Sequence, residues 1–184
     1  NVETSQVITD ALYGALGVMS GAQGTMNNFT FGNDTHQYYE TISGGSGAGF
    51  RYHPETGERQ FFDGTDVVQT HMTNSRLTDP EVLEWRFPVL LESFTIRPNS
   101  GGKGAASGGN GGTRRVRFLE NMTASILSNR RRVAPCGLEG GESGEVGRSY
   151  VIRTDGSQEE IGATGSAEMQ PGGVFVIQTP GGGG

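Results

Sequence analysis

The chain has 184 residues, which suffices for one domain with a sizeable buried core and is short for two. Its 32 glycines and 7 prolines indicate many tight turns between short elements. The 14 Lys and Arg against 20 Asp and Glu give a net charge of −6, which argues against general binding to nucleic acid or to an anionic membrane surface.

Cysteine content and hydropathy predict the compartment. The single cysteine, Cys136, excludes an internal disulfide framework, and in a chain this rich in turns that favours a reducing compartment, the cytoplasm. No apolar run approaches the roughly 18 residues of a membrane-spanning helix, and the N-terminus lacks a basic-then-apolar signal layout. We therefore expect neither a membrane span nor an export signal.

The first predicted element is a long helix from about Thr4 to Ser20, where Gly21 offers a C-terminal stop. Gly14 and Gly17 inside this helix reduce its stability, so they predict that another backbone passes close by. The helix itself is inferred from apolar residues at helical spacing, namely Val7, Ile8, Ala11, Leu12, Ala15, Leu16 and Met19.

Short strands are predicted next. Phe29, Phe31 and Tyr39 are placed as in half-buried strands. The glycine run at 44–49 and the polar stretch that follows it to Gln60 indicate a long loop or an inserted hairpin. Residues 66–71 then resume the character of a strand.

A short helix is predicted after Thr78. Thr78 is expected as its N-cap, with Pro80 in the first turn and Glu81 reaching back in a capping box. Trp85 is expected to anchor the end of this helix in the core.

The rest of the chain is predicted to be β. Leu90, Phe94 and Ile96 alternate on one face, and Val116 and Phe118 alternate with arginines. Further strands are expected at 122–128, 149–154 and 174–178, with a hairpin turn at 155–156. The predicted fold is therefore α+β and β-rich: one long N-terminal helix, one short capped helix and a mostly antiparallel β region with many Gly-rich turns. Residues 1–184 are expected to form a single domain, with helices and site-forming motifs in 1–86 and the β-rich part in 87–184.

Common nucleotide and metal motifs are missing from the sequence. Neither glycine-rich stretch, 43–49 or 101–112, contains a Gly-Lys-Ser/Thr, so structural turns are favoured over a phosphate-binding loop. His36, His53 and His71 are far apart and are not paired with Cys or a carboxylate at metal-ligand spacing, so no metal site is predicted. The Arg130–Arg132 run is interpreted as a solvated edge or a carboxylate partner, with an anionic ligand as the alternative.

The segment Thr70–Arg76 is the strongest candidate site. It places an imidazole, an amide, hydroxyls and a guanidinium within seven residues, between a predicted strand and a capped helix. An equally weighted alternative is structural: Thr73 and Asn74 only form hydrogen bonds with the backbone of the turn, and Arg76 forms an ion pair with Glu81 or Glu84. The segment 24–28 offers similar small donors and amides. Glu40 could act as a base or hold a cation, or it could be a paired structural acid.

Five sequence blocks, in order along the chain, resemble the hydantoinase B/5-oxoprolinase family. They are Asn1-Val-Glu-Thr-Ser-Gln, Gln23-Gly-Thr-Met-Asn-Asn-Phe, Tyr38-Tyr-Glu-Thr-Ile-Ser-Gly-Gly-Ser-Gly-Ala-Gly, Thr70-His-Met-Thr-Asn-Ser-Arg-Leu-Thr-Asp-Pro-Glu and Thr179-Pro-Gly-Gly-Gly-Gly. The chain departs from the family pattern in two places, with a longer link at Phe50–Phe62 and without the usual Trp and Arg content around residues 105–107.

This resemblance implies an ATP-dependent cyclic-amide hydrolase of the 5-oxoprolinase or N-methylhydantoinase type. The chain then corresponds to the C-terminal part of a B-type subunit. An A-type partner binds ATP with Mg and activates the ring carbonyl, and the B-type part completes ring opening. No cofactor is expected in this chain. A divalent metal is possible in the N-terminal part of the subunit. The alternatives are a non-catalytic scaffold or subunit-docking domain, and part of a related acetone- or acetophenone-type carboxylase.

The resemblance also places seven residues near a substrate pocket. As hypotheses, His71 moves a proton, Asn74 stabilises an oxyanion, Glu40 orients water and Arg76 holds a substrate carboxylate. The remaining substrate-binding residues implied by the blocks are Thr25, Asn27 and Thr73.

Overall fold

The computed structural model describes the backbone of residues 2–184 and the side chains of residues 3–184. This part of the chain is α+β and β-rich, as predicted. The helices are α1 (Val2–Leu16) and α2 (Pro80–Arg86). The strands are β1 (Asn28–Gly32), β2 (Gln37–Thr41), β3 (Gly49–Tyr52), β4 (Arg59–Phe62), β5 (Val89–Ile96), β6 (Gly112–Phe118), β7 (Met122–Leu127), β8 (Arg148–Ile152), β9 (Gln158–Glu160), β10 (Thr164–Met169) and β11 (Val174–Gln178).

The strands form two antiparallel sheets and one separate hairpin. The first sheet has the order β10-β7-β1-β2, and the second has the order β5-β6-β11-β8-β9. Strands β3 and β4 form a two-stranded sheet of their own, so the segment after the first glycine run is the inserted hairpin that the sequence allowed. The turn predicted at Asp155 and Gly156 is confirmed, because it joins β8 to β9.

The main core lies between the inner faces of the two sheets. Phe29 of β1 packs against Phe175 of β11 with ring centroids 5.0 Å apart, and Phe31 packs edge-on against Phe118 of β6 at 5.5 Å. In β6 the burial alternates along the strand, so Val116 and Phe118 face inward as predicted. Period-2 alternation is what a strand with one buried face requires.

Helix α1 buries its polar face and exposes its apolar residues. The polar residues Gln6 and Asp10 are buried, whereas the apolar residues Val7, Ile8, Leu12 and Leu16 are 43%, 54%, 57% and 71% exposed. Helical spacing correctly predicted the helix, but not which face is buried. The orientation is fixed by hydrogen bonds that join the side chains of Gln6 and Asp10 to other segments of the chain.

The bounds of α1 and the expectation for its glycines also need correction. The helix ends at Leu16, because Gly17 adopts the left-handed conformation with φ +64°, and Gly21 is not its stop. A Cβ built on Gly14 or Gly17 would meet no described atom within 4 Å. The prediction that another backbone passes close to these two glycines is therefore wrong for the described chain.

Helix α2 differs from its prediction at both ends. Asp79, and not Thr78, is the N-cap, because its carboxylate accepts a hydrogen bond from the Glu81 backbone N–H. Trp85 is 85% exposed, and the residue that anchors the helix in the core is Leu83. Seven residues make barely two turns, so only one position of α2 points fully inward.

The strand predicted around Leu90 is confirmed as β5, but its apolar residues do not share one face. Leu90 pairs opposite Arg117, whereas Phe94 and Ile96 pair opposite Arg114 and Gly112 on the other face, because a β-bulge between Leu91 and Ser93 shifts the register. A second strand prediction is wrong. Residues 66–71 form no strand and contribute only an isolated bridge between Val68 and Gly44.

Four glycine-rich segments, residues 20–24, 43–48, 100–111 and 179–184, pack side by side and are here called the glycine bundle. Backbone N–H groups of one segment donate to carbonyl oxygens of another at 2.8–3.0 Å. The donor and acceptor pairs include Gly45 to Pro180, Ala48 to Gly183, Gly109 to Ser46, Gly182 to Gly109 and Gly183 to Gly21. These glycines therefore do more than form turns, since they make a second, polar packing layer beside the sheets.

The backbones in the bundle approach too closely for side chains. A Cβ on Gly182 would overlap with the carbonyl oxygen of Ser46, and a Cβ on Gly45 would overlap with that of Gly109. Backbone atoms cannot move aside as a flexible side chain can. The closing run Gly181–Gly184 is accordingly buried.

We expect Gly182→Ala to lower the free energy of unfolding by about 3 kcal/mol, because the added methyl group must displace backbone. The matched control is Gly14→Ala, which adds the same methyl group in open space within α1 and should stabilise the protein by about 0.5–1 kcal/mol. Thermal and denaturant unfolding of both variants tests this. Equal effects of the two substitutions would contradict the close packing of the bundle.

Candidate functional site

The segment Gln69–Asp79 borders an open cleft of about 650 Å³. The segment has no regular secondary structure and connects the bridge at Val68 to α2. The opposite walls of the cleft are formed by Ser43, Leu91 and Phe94, and Arg114 lies at its floor. The candidate segment from the sequence therefore forms one side of a real concavity.

Thr73, Asn74 and Arg76 all line this cleft. Asn74 and Arg76 are exposed there. Among residues 3–184, Arg76 forms no ion pair, so its alternative role as a partner of Glu81 or Glu84 is not observed. A guanidinium without a partner at the rim of a cleft is available to an anionic group of a ligand.

Arg114 at the floor of the cleft is held by Glu40. Its Nε donates to Glu40 Oε1 at 2.6 Å and its Nη2 donates to Oε2 at 2.9 Å, while the two side chains are only 1% and 4% exposed. The Tyr38 hydroxyl donates to Glu40 Oε2 at 2.8 Å. Both carboxylate oxygens of Glu40 are therefore engaged by protein groups, as in a paired structural acid.

Tyr38 connects this ion pair to the wall of the cleft. Its hydroxyl oxygen also lies 2.9 Å from Oγ1 of Thr78, which lines the cleft. Burial and, next, the negative charge of Glu40 raise the pKa of Tyr38 to about 12. The hydroxyl thus remains protonated and keeps donating to Glu40 well into alkaline pH.

Sequence reasoning missed Arg114, although a signal for it existed. Arg114 has the same strand parity as Val116 and Phe118, which were correctly predicted to face inward. An arginine on the inward face of a strand requires a buried acid, and Glu40 is the buried acid of β2. Matching the two would have predicted the pair.

His71 lies in the candidate segment but is not a wall of the cleft. Its Nε2 is 2.7 Å from Oδ1 of Asp10 on α1, and the two side chains are 5% and 6% exposed. The backbone of His71 has a φ of +55°, a strained value for a residue with a side chain. Its ring meets Tyr13 edge-on, with centroids 5.5 Å apart.

Thr73 links the cleft to the inward face of α1. Its hydroxyl oxygen accepts a hydrogen bond from Gln6 Nε2 at 3.0 Å, and Gln6 Nε2 also donates to the carbonyl oxygen of Thr70 at 2.8 Å. The polar face of the helix therefore holds the candidate segment in place.

Thr25 and Asn27 are buried and do not line the cleft. The Thr25 hydroxyl accepts from the backbone N–H of Asn129 at 2.8 Å. Asn27 Nδ2 donates to Gln23 Oε1 at 2.8 Å and to the Ile42 carbonyl oxygen at 2.9 Å. Their contacts fix the turn between α1 and β1.

The arginine run has protein partners at two of its three positions. Arg130 Nη2 is 3.5 Å from Oδ2 of Asp10, and Arg131 Nη2 donates to Asn27 Oδ1 at 3.0 Å. Arg132 is exposed. The interpretation as a carboxylate partner is therefore confirmed for Arg130.

Within the described side chains, no three His, Cys, Asp or Glu converge as metal ligands would. A second cavity of about 510 Å³ lies between the β3–β4 hairpin and the loop at 138–141, and it opens beside Gly184.

The structure is a β-rich α+β fold with an arginine-bearing cleft beside a glycine bundle. The profile of the Hydantoinase B/oxoprolinase family matches residues 1–184. The chain belongs to this family, and the resemblance inferred from the five sequence blocks is confirmed. It is 46% identical to the 5-oxoprolinase of Dictyostelium discoideum over 184 residues, which is 100% of this chain and 14% of that protein.

Solved structures support the fold. The ATP-dependent caprolactamase from Pseudomonas jessenii superposes with a TM-score of 0.65 at 21% identity, covering 90% of this chain and 29% of that one. A nucleotide-free acetone carboxylase gives a TM-score of 0.64 at 14% identity, covering 90% and 26%. The chain thus spans about a seventh of the 5-oxoprolinase and under a third of either solved chain.

None of the described helices is long and apolar enough to cross a membrane.

Glu40→Gln should cost about 3–5 kcal/mol of stability, because it leaves the Arg114 charge buried without its counter-ion. The control is Glu92→Gln, which removes a carboxylate from the more exposed pair with Arg115 and should cost less than about 1 kcal/mol. Denaturant unfolding compares the two. A Glu40→Gln protein as stable as the control would contradict the buried-pair role.

Tyr38 should make stability decline at high pH. Because its folded-state pKa of about 12 exceeds the ordinary value of 10.0, the neutral hydroxyl is favoured in the folded protein. Its stabilising contribution is fully present below pH 10 and is lost as the pH rises towards 12. The stability difference between the wild type and Tyr38→Phe should therefore shrink over this range in denaturant unfolding. A constant difference would show that Tyr38 ionises equally well in the folded and unfolded states.

Proposed function

We propose that this chain forms part of an ATP-dependent cyclic-amide hydrolase of the 5-oxoprolinase or hydantoinase type. The observation that carries this proposal is the family match over the whole chain together with 46% identity to a 5-oxoprolinase. The similarity in fold to a caprolactamase, another enzyme named for a cyclic amide, agrees with it.

In this proposal the cleft binds the cyclic amide. Arg76 holds the carboxylate of a substrate such as 5-oxoproline in a two-point contact, and Asn74 donates to the carbonyl oxygen as negative charge develops on it. Thr73, fixed by Gln6, borders the ring. Thr25 and Asn27 act at a distance by holding the turn that precedes β1.

Glu40 and Arg114 act together in the cleft floor. Because both oxygens of Glu40 are engaged, we assign it the task of orienting Arg114 in preference to orienting water. Nε and Nη2 of Arg114 donate to the Glu40 carboxylate, and Nη1 of Arg114 has no hydrogen-bond partner among the described residues. Arg114 therefore keeps donors for a ligand that reaches the floor.

The nucleotide chemistry belongs to a partner in this proposal. An A-type subunit or domain binds ATP with Mg and activates the ring carbonyl, and this chain supplies part of the ring-opening site. Within the described side chains no three His, Cys, Asp or Glu converge, so in this proposal a divalent ion of the B-type part takes ligands from outside this chain. The cysteine usage of the chain favours the cytoplasm as the compartment.

A second candidate function is subunit docking without catalysis. The specific observation in its favour is the exposed apolar face of α1, formed by Val7, Ile8, Leu12 and Leu16. Large exposed apolar faces are typical of surfaces that another chain or domain covers. If docking were the whole function, substitutions in the cleft would leave turnover unchanged.

The two functions are separated by Arg76→Ala in the full-length protein with its A-type partner, assayed by 5-oxoproline-dependent ADP release. We expect KM for 5-oxoproline to rise about 10- to 100-fold, because the substrate carboxylate loses a charge-assisted hydrogen bond. Arg86→Ala, which removes an exposed arginine outside the cleft, is the control and should leave KM unchanged. Unaltered kinetics of Arg76→Ala would favour docking.

The same assay tests the substrate class. 2-Pyrrolidinone is a ring of the same size without a carboxylate, so the group that Arg76 contacts is missing from it. The wild type should therefore bind it more weakly than 5-oxoproline, and Arg76→Ala should have nearly the same KM for it as the wild type. Dependence of ADP release on bicarbonate would instead indicate a carboxylase.

A further inference from the structure

The hydroxyl group of Thr78 lies in the cleft but has no task in the proposed function. Thr78 lines the cleft wall, and it is not the N-cap of α2, because the Asp79 carboxylate accepts from the Glu81 backbone N–H. Its Oγ1 lies instead 2.9 Å from the hydroxyl oxygen of Tyr38 on β2. The side chain therefore points away from the helix, and its contact with Tyr38 indicates what it does.

The direction of the hydrogen bonds at Thr78 follows from the number of protons. A tyrosine hydroxyl donates one proton and can also accept. The Glu40 carboxylate lies 2.8 Å from the Tyr38 hydroxyl and is the strongest acceptor near it, so the Tyr38 proton lies on that contact. The Tyr38 oxygen then accepts from Thr78. Among the described residues Thr78 Oγ1 has no other hydrogen-bond partner, so its lone pairs are available to a ligand in the cleft.

Arg114 supplies a hydrogen-bond donor to the same cleft. Its Nε and Nη2 donate to Glu40, whereas its Nη1 has no partner among the described residues and is not sealed from solvent. Because Glu40 already balances the charge of Arg114, Nη1 does not require an anion, and a neutral carbonyl oxygen satisfies it. Nη1 is thus the donor that Arg114 offers at the cleft floor.

One carboxylate oxygen holds both groups in place. Glu40 Oε2 accepts from Arg114 Nη2 at 2.9 Å and from the Tyr38 hydroxyl at 2.8 Å. Thr78 Oγ1 is one further hydrogen bond away. Three hydrogen bonds in series therefore join Arg114 to Thr78, so the donor and the acceptor are neighbours within one network and line one cleft.

A donor beside an acceptor matches one edge of a cyclic amide. In a small lactam or hydantoin ring the amide is held cis, so its C=O and its N–H lie on the same edge of the ring. An open-chain amide is trans and presents the two groups on opposite sides. The pairing of Thr78 with Arg114 is therefore complementary to the ring form of an amide.

We propose that Thr78 and Arg114 form a subsite for the amide edge of the ring, in which Thr78 Oγ1 accepts from the ring N–H and Arg114 Nη1 donates to the ring carbonyl oxygen. This inference rests on the proposed function. The carbonyl oxygen has two lone pairs, so it accepts from Arg114 and from Asn74 together. Thr78 then determines specificity, because it selects rings with an N–H next to the carbonyl over cyclic esters of the same size.

The lactone counterpart of 5-oxoproline tests this contact, because an oxygen atom replaces its ring N–H. The lactone keeps the ring size, the carbonyl and the carboxylate, so only the group that faces Thr78 changes. Calorimetric titration of the full-length protein with its A-type partner, without ATP, should show that the wild type binds 5-oxoproline about 10- to 100-fold more tightly than the lactone. Equal affinities for the two compounds would overturn the proposal.

Thr78→Val removes the hydroxyl group and keeps the branched shape of the side chain. The preference for 5-oxoproline over the lactone should fall to within about threefold, because the ring N–H loses its acceptor. Thr78→Ser keeps the hydroxyl and should keep the preference. Thr123→Val, at an exposed position of β7 outside the cleft, is the control and should also keep it. General damage to the fold would weaken both compounds equally, so an undiminished preference in Thr78→Val would overturn the proposal.

Tyr38→Phe tests the direction of the hydrogen bonds without changing a residue that contacts the ring. Without the Tyr38 oxygen, the Thr78 proton is free to point into the cleft and to donate to the ring oxygen of the lactone. The preference for 5-oxoproline should therefore fall by about threefold or more. A preference equal to that of the wild type would overturn the assigned direction. Failure of the proposed function would appear separately, as a wild type that binds 5-oxoproline with this preference but releases no ADP in response to it.

Discussion

The close approach of backbones in the glycine bundle is the constraint on which the rest of the structure depends. The bundle is formed by segments that follow α1, precede β3, separate β5 from β6 and follow β11, so it joins the elements that the two sheets do not connect. Its cohesion comes mainly from hydrogen bonds and van der Waals contact between main chains, because a Cβ at glycines such as Gly45 or Gly182 would overlap with the neighbouring backbone. The cleft is built against it, since Ser43 and the bridge at Gly44 position the start of the candidate segment.

Buried polar contacts provide the second level of organisation. Glu40 and Arg114 join the two sheets by an ion pair, and Asp10 and His71 join α1 to the candidate segment. Pairs of this kind add little net stability compared with apolar packing, but breaking one leaves a costly unpaired group. They therefore specify a single arrangement of the elements around the cleft.

Local pattern was enough to predict most of the β structure. Alternation identified β1 and β6, and turn residues located the β3–β4 and β8–β9 hairpins, since these signals depend on neighbours in sequence. The face that α1 buries could not be predicted, because its polar residues are satisfied by groups more than 60 positions away. Similarly, Thr70–Arg76 was recognisable as a polar cluster, but its division into cleft residues and a buried His71 depends on Asp10. The alternation of β6 would have predicted that Arg114 faces inward, but its partner Glu40 had not been matched to it.

The separation of the bundle's segments along the chain has a consequence for how the protein folds. The Ser20 hydroxyl donates to the carbonyl oxygen of Gly184, a contact that spans 164 residues, and Gly183 donates to Gly21. Contacts this distant in sequence form slowly, because a long loop must close before any of them is gained. During synthesis the hairpins can pair early, yet the first three segments must wait for residues 179–184 to emerge from the ribosome. Residues 179–184 thus control when the glycine bundle can form, although they carry a single side chain able to hydrogen bond, that of Thr179.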